Sequence, residues 1–253
     1  MHLNFAFLSG ERTLSMPNAP RYMYRSWWKI TCILLLVFTF TAGLLGPVPK
    51  LPLLQETIRN LYFHVCMWFG MMILFTVSVV QAILYLRNMD RKHDLASRHF
   101  AGTGMLYGVL GYSTGAIWAA YTWADPNVSF ADSFSTIARD PKLIGAAVSL
   151  LVYFAYLVLR DSIPDIDRRA RISAVYNIFA YAILFPAIWI LPRVLESLHP
   201  GQDGNPALDV KNDISPGMRL VFYPAVIGWT LLGVWIATLR IRIEWMNEKN
   251  RTV

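Results

Sequence analysis

Six long apolar segments dominate the chain and limit the folds that it can adopt. They lie at residues 27–45, 58–86, 99–123, 143–159, 173–191 and 218–241. A helix needs about 20 mostly apolar residues to cross the hydrocarbon core of a bilayer. Only 15% of the 253 residues are charged, whereas roughly a quarter are charged in a soluble domain. The sequence therefore predicts an all-α, polytopic membrane protein with six transmembrane helices.

The distribution of basic residues predicts the orientation of these helices. If the N-terminus lies inside, 16 of the 23 Lys and Arg residues fall on the inner side and 7 on the outer side. Such an excess marks the cytoplasmic side, so we expect both termini to be cytoplasmic. The tails would be residues 1–26 and 246–253, with one membrane domain at 27–245. Because the basic residues occur in short clusters between apolar runs, the net charge of +7 does not indicate a nucleic-acid-binding face.

This topology separates the five histidines into two groups. The inner side receives His2, His93 and His99, and the outer side receives His64 and His199. Two long loops, at 124–142 and 192–217, are also outer. Loops of this length are commonly functional sites or linkers. We therefore expect the functional chemistry at the outer face.

His64 belongs to a polar stripe at the outer end of the second segment. At helical spacing, Glu56, Asn60, His64 and Trp68 share one face. A polar stripe at this depth faces protein or a water-filled cavity, because contact with lipid would be costly. Two interpretations remain open: a structural histidine that ties two helices together, or a ligand-binding residue.

His199 lies in the turn LESLHPGQDG and has two similar interpretations. A histidine before Pro and Gly can be a simple turn residue. Together with His64 on the same side, it can instead be the second axial ligand of a haem iron, for which neutral imidazole is a common ligand. The pair predicts a bis-histidine haem site, with His64 and His199 as the metal ligands.

Aromatic and basic residues surround the predicted site. Trp118 and Tyr121 are three residues apart on one helix face, and Trp123 follows them. These rings fit either an interfacial aromatic belt or a stacking platform for a porphyrin. Basic residues that could pair with haem propionates are Arg59, Arg139, Lys142 and Arg193. Taken individually, each fits an ordinary anchor at the membrane interface better.

Other chemistries find little support in the sequence. There is no GxxxxGK[ST], HExxH or CxxCH motif, and we do not expect an enzyme. Cys32 and Cys66 lie in apolar runs and are interpreted as small buried hydrophobic residues rather than as a disulfide. Asn177, in the middle of the fifth segment, is interpreted as a residue that joins helices.

Three segments resemble the cytochrome c assembly family of membrane haem-handling proteins, specifically its six-helix CcmC type. They are RNLYFHV with His64, TGAIWAAYTW, and the SLHPG turn with His199, and MRLVFYPAVIGWTLLGVWIATLRIRI is similar to the last helix of the family. The resemblance covers about residues 25–245. Family members hold haem on the outer face of the bacterial inner membrane, between two histidines and a tryptophan-rich "WWD" segment.

The resemblance implies a function in cytochrome c maturation. Family members help to pass haem to a periplasmic haem chaperone, and an ATP-binding cassette subunit and small membrane subunits accompany them. By position, His64 and His199 correspond to the axial ligands, and Trp118 and Trp123 to part of the haem platform. The resemblance thus implies transient haem binding and delivery rather than bond-making catalysis.

The chain departs from the family pattern after Trp123. The family segment resembles WGxxWxWD, whereas here a longer stretch, NVSFADSFSTIAR, follows and a second tryptophan cluster is missing. We align the acidic residue of the motif with Asp140, and Asp125 is the alternative. Two other functions remain open on the residues alone: a bis-histidine electron-transfer cytochrome subunit, and a metal-free small-molecule transporter.

Overall fold

Every regular element in the described part of the chain is a helix. The computed structural model describes residues 25–52, 54–123, 127–195 and 214–251. Eight α-helices are present in these ranges: α1 (Trp27–Leu45), α2 (His64–Asn88), α3 (Arg91–Thr122), α4 (Phe130–Ile137), α5 (Pro141–Ser162), α6 (Ile166–Phe185), α7 (Leu191–Val194) and α8 (Pro216–Arg251). A 3-10 helix (Gln55–Tyr62) precedes α2, and a π-helical turn (Pro186–Ile190) joins α6 to α7.

Five stretches are long and apolar enough to cross a membrane. They are Trp27–Leu45, Gln55–Asn88, Pro141–Ser162, Ile166–Ile188 and Pro216–Glu248. The first has the bounds that the sequence predicts. Helix α3, which contains the predicted third segment, is long but not among the five. The chain is therefore an all-helical membrane protein with five helices of spanning character in its described part.

Helix α3 is less apolar because it lies at the centre of the helix bundle. It contacts α2, α4, α5, α6 and α8. Protein rather than lipid surrounds much of its surface, so small residues can replace large apolar ones. It begins at Arg91, eight residues before the predicted start, because Asp90 caps its N-terminus through the Lys92 amide at 3.0 Å.

A column of glycines on α3 allows a close approach to α2. A Cβ atom at Gly104 would lie 2.8 Å from the Phe75 ring, and one at Gly108 would lie 2.9 Å from the Met71 sulfur. The same contact continues from Gly111 to Trp68 and from Gly115 to His64. The glycines of α3 and their partners on α2 have the same spacing of four, three and four residues. Residue numbers rise along one set and fall along the other. This glycine column sets an antiparallel register that ends at His64.

The predicted second segment, 58–86, lies within the observed span Gln55–Asn88, but its first residues are not α-helical, because α2 begins at His64. Residues Gln55–Tyr62 form a 3-10 helix instead. Three residues per turn place Ile58 and Leu61 on one face, where they are buried against α8 in a cluster with Tyr62. The polar stripe is consequently interrupted: the Glu56 side chain is 71% exposed and pairs with Arg59.

The ends of the last two predicted segments also differ from expectation. At Pro186, inside the predicted fifth segment, α6 stops and the backbone changes to a π-helical turn, because proline lacks the amide hydrogen that would continue the helix. Helix α8 runs to Arg251, so much of the predicted C-terminal tail at 246–253 is helical. Residues 1–24 of the predicted N-terminal tail lie outside the described residues.

A buried ion pair ties α3 to α5 at the opposite end from His64. The two guanidinium nitrogens of Arg160 donate to the carboxylate oxygens of Asp94 at 2.7 and 2.8 Å. Both side chains are almost fully buried. Arg91 also contacts Asp94, and Glu244 on α8 accepts from Arg98 at 2.7 Å. A charge network therefore clamps α3, α5 and α8 at this end of the bundle.

Polar and thiol groups inside the bundle have the structural roles that the sequence predicts. The amide nitrogen of Asn177 donates to Ser78 at 2.7 Å and to Ser97 at 3.0 Å, joining α6, α2 and α3. Cys32 and Cys66 are both free and fully buried. The interpretation of Asn177 as a residue that joins helices is confirmed, and the two cysteines are buried as predicted.

Replacement of Arg160 tests the ion pair. In Arg160→Ala, Asp94 would lose its bidentate partner in a buried position, so we expect the free energy of unfolding to fall by about 3–5 kcal/mol. Thermal unfolding in detergent measures this loss. The control is Arg168→Ala, whose side chain is exposed and whose effect should stay within about 0.5 kcal/mol. Equal loss in both variants would contradict the prediction.

Candidate functional site

A cavity of about 140 Å³ opens at the end of the bundle where α2 begins. Helices α2, α3 and α5, the residues before α2 and the π-helical turn contribute to its walls. The surface is mainly apolar. The lining residues on which the argument depends are His64, Trp68, Gly111, Gly115, Trp118, Trp123 and Lys142.

His64 is the first residue of α2, and its side chain is buried in the cavity wall at 8% exposure. Its Nδ1 atom lies 2.8 Å from the carbonyl oxygen of Gly111 on α3. Because a carbonyl can only accept, Nδ1 carries the hydrogen and donates. In the neutral ring, Nε2 then holds the free lone pair. A histidine held in this way is a competent metal ligand, since ligating histidines usually donate their other ring N–H to a backbone carbonyl or carboxylate.

Two tryptophans and a glycine hold the His64 ring in place. The ring makes edge contacts with Trp68 and Trp118, at centroid distances of 6.3 and 6.0 Å. The backbone of Gly115 leaves room for the imidazole, because a Cβ there would lie 2.8 Å from Nδ1 and closer still to Cε1. The imidazole orientation is therefore determined by α3 as much as by α2.

The structure brings two of the three predicted aromatic residues to the cavity. Trp118 and Trp123 line it. The indole N–H of Trp118 donates to the Thr57 hydroxyl at 3.0 Å, which links α3 to the 3-10 helix. Tyr121, which we expected to share the face of Trp118, is 72% exposed and is not among the lining residues.

Arg59 and Asp140 lie near the site, but their side chains form hydrogen bonds to the backbone of nearby helix ends. Arg59 donates to the carbonyl oxygens of Gly43 and Gly46 at 2.9 and 2.7 Å and pairs with Glu56. It thereby fastens the 3-10 helix to the end of α1. Asp140 is buried, and its carboxylate accepts from the Lys142 amide at 2.9 Å as the N-cap of α5. Neither residue lines the cavity.

Two predicted residues fall outside the described part of the chain. His199, the predicted second ligand, lies outside the described residues, as does Asp125, the alternative to Asp140. Within the described residues, no group of three or more His, Cys, Asp or Glu side chains is placed to hold a metal ion. A haem iron needs only one or two ligands from the protein, so this observation does not bear on a haem site.

The sequence reasoning missed the role of α3 in building the site. Gly111 and Gly115 were not singled out, although they precede Trp118 at spacings of seven and three residues. That spacing puts all three on one helix face. Lys142 is one of the four basic candidates from the sequence, and the structure places it in the cavity lining. A search for small residues in register with the tryptophans could have found the glycines.

The fold and the site define a class: a helical membrane protein with a histidine held in an aromatic cavity at one end of the bundle. A family model described as CcmC, heme exporter protein C, matches residues 18–253. The chain therefore belongs to the CcmC family, as the resemblance predicts. This family acts in haem export and cytochrome c maturation, trafficking haem in the membrane rather than catalysing a reaction. No curated protein sequence matches the chain.

Gly115→Ala tests the placement of His64. The added methyl group would overlap the imidazole, so the ring must move and its hydrogen bond to Gly111 must break or lengthen. We expect less haem to co-purify with this variant than with the native chain, measured by absorbance per unit of protein. The matched control is Gly217→Ala, because nothing lies within 4 Å of a Cβ at that helical glycine. Equal haem content in both variants would contradict the prediction.

Proposed function

We propose that this chain binds haem transiently at the outer face of the bacterial inner membrane and passes it to a periplasmic haem chaperone. One observation carries the proposal: the hydrogen bond from His64 Nδ1 to Gly111 O leaves Nε2 as the basic nitrogen of a buried ring at a cavity. Family membership supplies the link to haem and to cytochrome c maturation.

The cavity walls suit one part of a porphyrin. Aromatic and aliphatic side chains match its apolar face, and Lys142, at the cavity edge of α5, can meet a propionate. The cavity volume of about 140 Å³ is below the roughly 300–1,000 Å³ of usual ligand pockets. A haem would thus extend past these residues. We infer that His199 supplies the second axial ligand from residues 192–217, so that an incompletely enclosed haem can be released.

The remaining predicted site residues receive different roles in this proposal. Trp118 and Trp123 form the haem platform. Arg59 and Asp140 act as positioning residues: Arg59 holds the 3-10 helix whose Thr57 accepts from Trp118, and Asp140 caps the helix that presents Lys142. Tyr121, given its exposure, contacts lipid or the interface rather than haem. Arg59 therefore does not bind a propionate in this arrangement.

We propose that α3 is the sixth membrane span. Its 32 residues give a length of about 48 Å, more than the ~30 Å hydrocarbon core. Central packing explains why its hydropathy is low. Six spans would place both termini on one side, and the excess of basic residues assigns that side to the cytoplasm. His64, His199 and the cavity would then face the periplasm.

The proposal includes the partners of a haem-delivery complex. A periplasmic chaperone would receive haem at the cavity, and an ATP-binding cassette subunit and small membrane subunits would assemble with the bundle. The CcmC family works within a haem export complex, and the membership of this chain in the family supports such partners. The sequence lacks a Walker A motif, so an associated subunit would have to supply ATP hydrolysis.

Reporter fusions test the orientation. A reporter that is active only in the periplasm should be active when fused after Asn205 and silent when fused after Asp94, because the basic excess assigns these positions to opposite sides. Enzyme activity normalised to fusion abundance is the measurement. The reverse pattern would place both histidines on the cytoplasmic side and overturn the proposed site.

Two histidine variants test the axial ligands. His64→Ala and His199→Ala should each convert a six-coordinate haem spectrum into a five-coordinate or mixed one. Added imidazole should partly restore the native spectrum, because it can occupy the vacated position on the iron. Visible absorption spectra of the purified complex, recorded with and without imidazole, measure both effects.

The control for these variants is His93→Ala. His93 lies 2.7 Å from Gln81 at the opposite end of α2 from His64 and lines no part of the cavity. Its spectrum should match that of the native chain. If His93→Ala changes the spectrum as much as His64→Ala does, the axial assignment is wrong. If imidazole restores neither ligand variant, the histidines act through structure alone.

A further inference from the structure

Helix α4 presents an uncovered aromatic face beside the cavity. Phe130 and Phe134, one turn apart, are 58% and 43% exposed. Their ring centroids lie 6.4 Å apart, so the two rings form one patch. Neither residue lines the cavity. This stretch lies in the predicted outer loop at 124–142, where a Ser129 cap starts a helix.

The adjacent face of α4 is anchored to the bundle. Ser133 and Ile137 are buried, and Ile137 belongs to a cluster with Ala119 and Ala120 of α3. Trp123 and Leu143 pack against the same cluster. An isolated helix of eight residues would be unstable in water, so this packing supports α4. It also fixes the direction in which the two phenylalanine rings point.

The exposed polar side chains of α4 and its cap form hydrogen bonds within the helix. Ser129 donates to the Asp132 carboxylate at 2.6 Å and accepts from the Asp132 amide. The hydroxyls of Ser135 and Thr136 both donate to the Asp132 carbonyl at 3.1 Å. Groups that are already paired lose less when water is removed from around them. The polar face can therefore rest near the headgroup region at little cost.

Both helices that flank α4 carry exposed, mainly apolar stripes at the ends that α4 joins. An exposed stripe continues along α3 to the end of the helix. It consists of Leu106, Leu110, Ser113, Ile117 and Tyr121. On α5, exposed Ile144 and Val148 begin a similar stripe within two turns of its start. Helix α4 connects these two ends and packs on α3. A bilayer that covers both stripes reaches the level of α4.

We propose that α4 is an interfacial helix whose Phe130–Phe134 face inserts into the lipid of the membrane–water interface. Its amphipathic composition, with one charged residue that is used in the cap, fits such a position. The occupant of the patch is the bilayer itself rather than a partner protein. The proposal depends on membrane insertion of the chain and not on haem binding.

This position has a consequence for the cavity. Ile137 of α4 and Trp123 at the end of α3 belong to one packed cluster. The position of α4 at the bilayer surface therefore also sets the depth of the end of α3 that carries Trp123. The cavity mouth is then held at the lipid–water boundary. An amphipathic ligand with an apolar face and charged edge groups could reach it without leaving the interface.

Site-directed spin labelling of the full chain in phospholipid nanodiscs tests the proposal. The variants are Phe130→Cys and Phe134→Cys on the aromatic face, and Ser135→Cys and Thr136→Cys on the polar face. Ile117→Cys on the stripe of α3 gives the reference for lipid contact. The native cysteines are fully buried, and the labelled native chain gives the background. Collision rates with oxygen, which concentrates in lipid, and with a water-soluble nickel chelate are measured at each position.

The labels at Phe130 and Phe134 should collide more with oxygen than with the nickel chelate, as at Ile117. The labels at Ser135 and Thr136 should show the reverse. Nickel collisions that are high at all four α4 positions would overturn the proposal, because the patch would then face water. Labels at Phe130 and Phe134 that are shielded from both reagents would also overturn it, since such shielding indicates protein contact. Circular dichroism of each variant confirms that the helix bundle is intact.

Discussion

The close approach of α2 and α3 is the constraint on which the rest of the bundle depends. Four glycines of α3 face four large residues of α2 in antiparallel register, from Gly104 opposite Phe75 to Gly115 opposite His64. Small residues let helix backbones approach closely where lipid gives no hydrophobic drive for association. The register decides which side chains meet at each level, and at one end it brings a histidine to a backbone carbonyl.

The hydrogen bond between His64 and Gly111 turns this packing into a chemical site. Its net contribution to stability is only about 0.5–1.5 kcal/mol. Its larger effect is to select one ring tautomer and one orientation, which leaves the lone pair of Nε2 free. At the other end of the same helix, the Asp94–Arg160 pair and its neighbours clamp α3 against α5 and α8. One end of α3 therefore positions His64, and the other end fixes the packing of α3 against α5 and α8.

The stretch after Trp123, where the chain departs from the family pattern, contributes a structural element rather than a second tryptophan cluster. Helix α4 packs Ile137 on the end of α3 and leaves two phenylalanines uncovered. A serine- and aspartate-rich sequence thus folds because Ser129 and Asp132 cap a short amphipathic helix. The cavity end of the bundle is consequently bordered by an apolar surface of its own.

The sequence by itself determined the helical membrane class, because runs such as Trp27–Leu45 can satisfy their backbone only as helices in lipid. The sequence also predicted His64 and Trp118 as candidate site residues, and both line the cavity. Only the tertiary structure decided that Gln55–Tyr62 is a 3-10 helix, that Arg59 binds the end of α1, and that Tyr121 faces away from the cavity. It also showed that Gly111 and Gly115 hold His64. Those outcomes depend on contacts between segments far apart in the chain, which periodicity within one segment cannot encode.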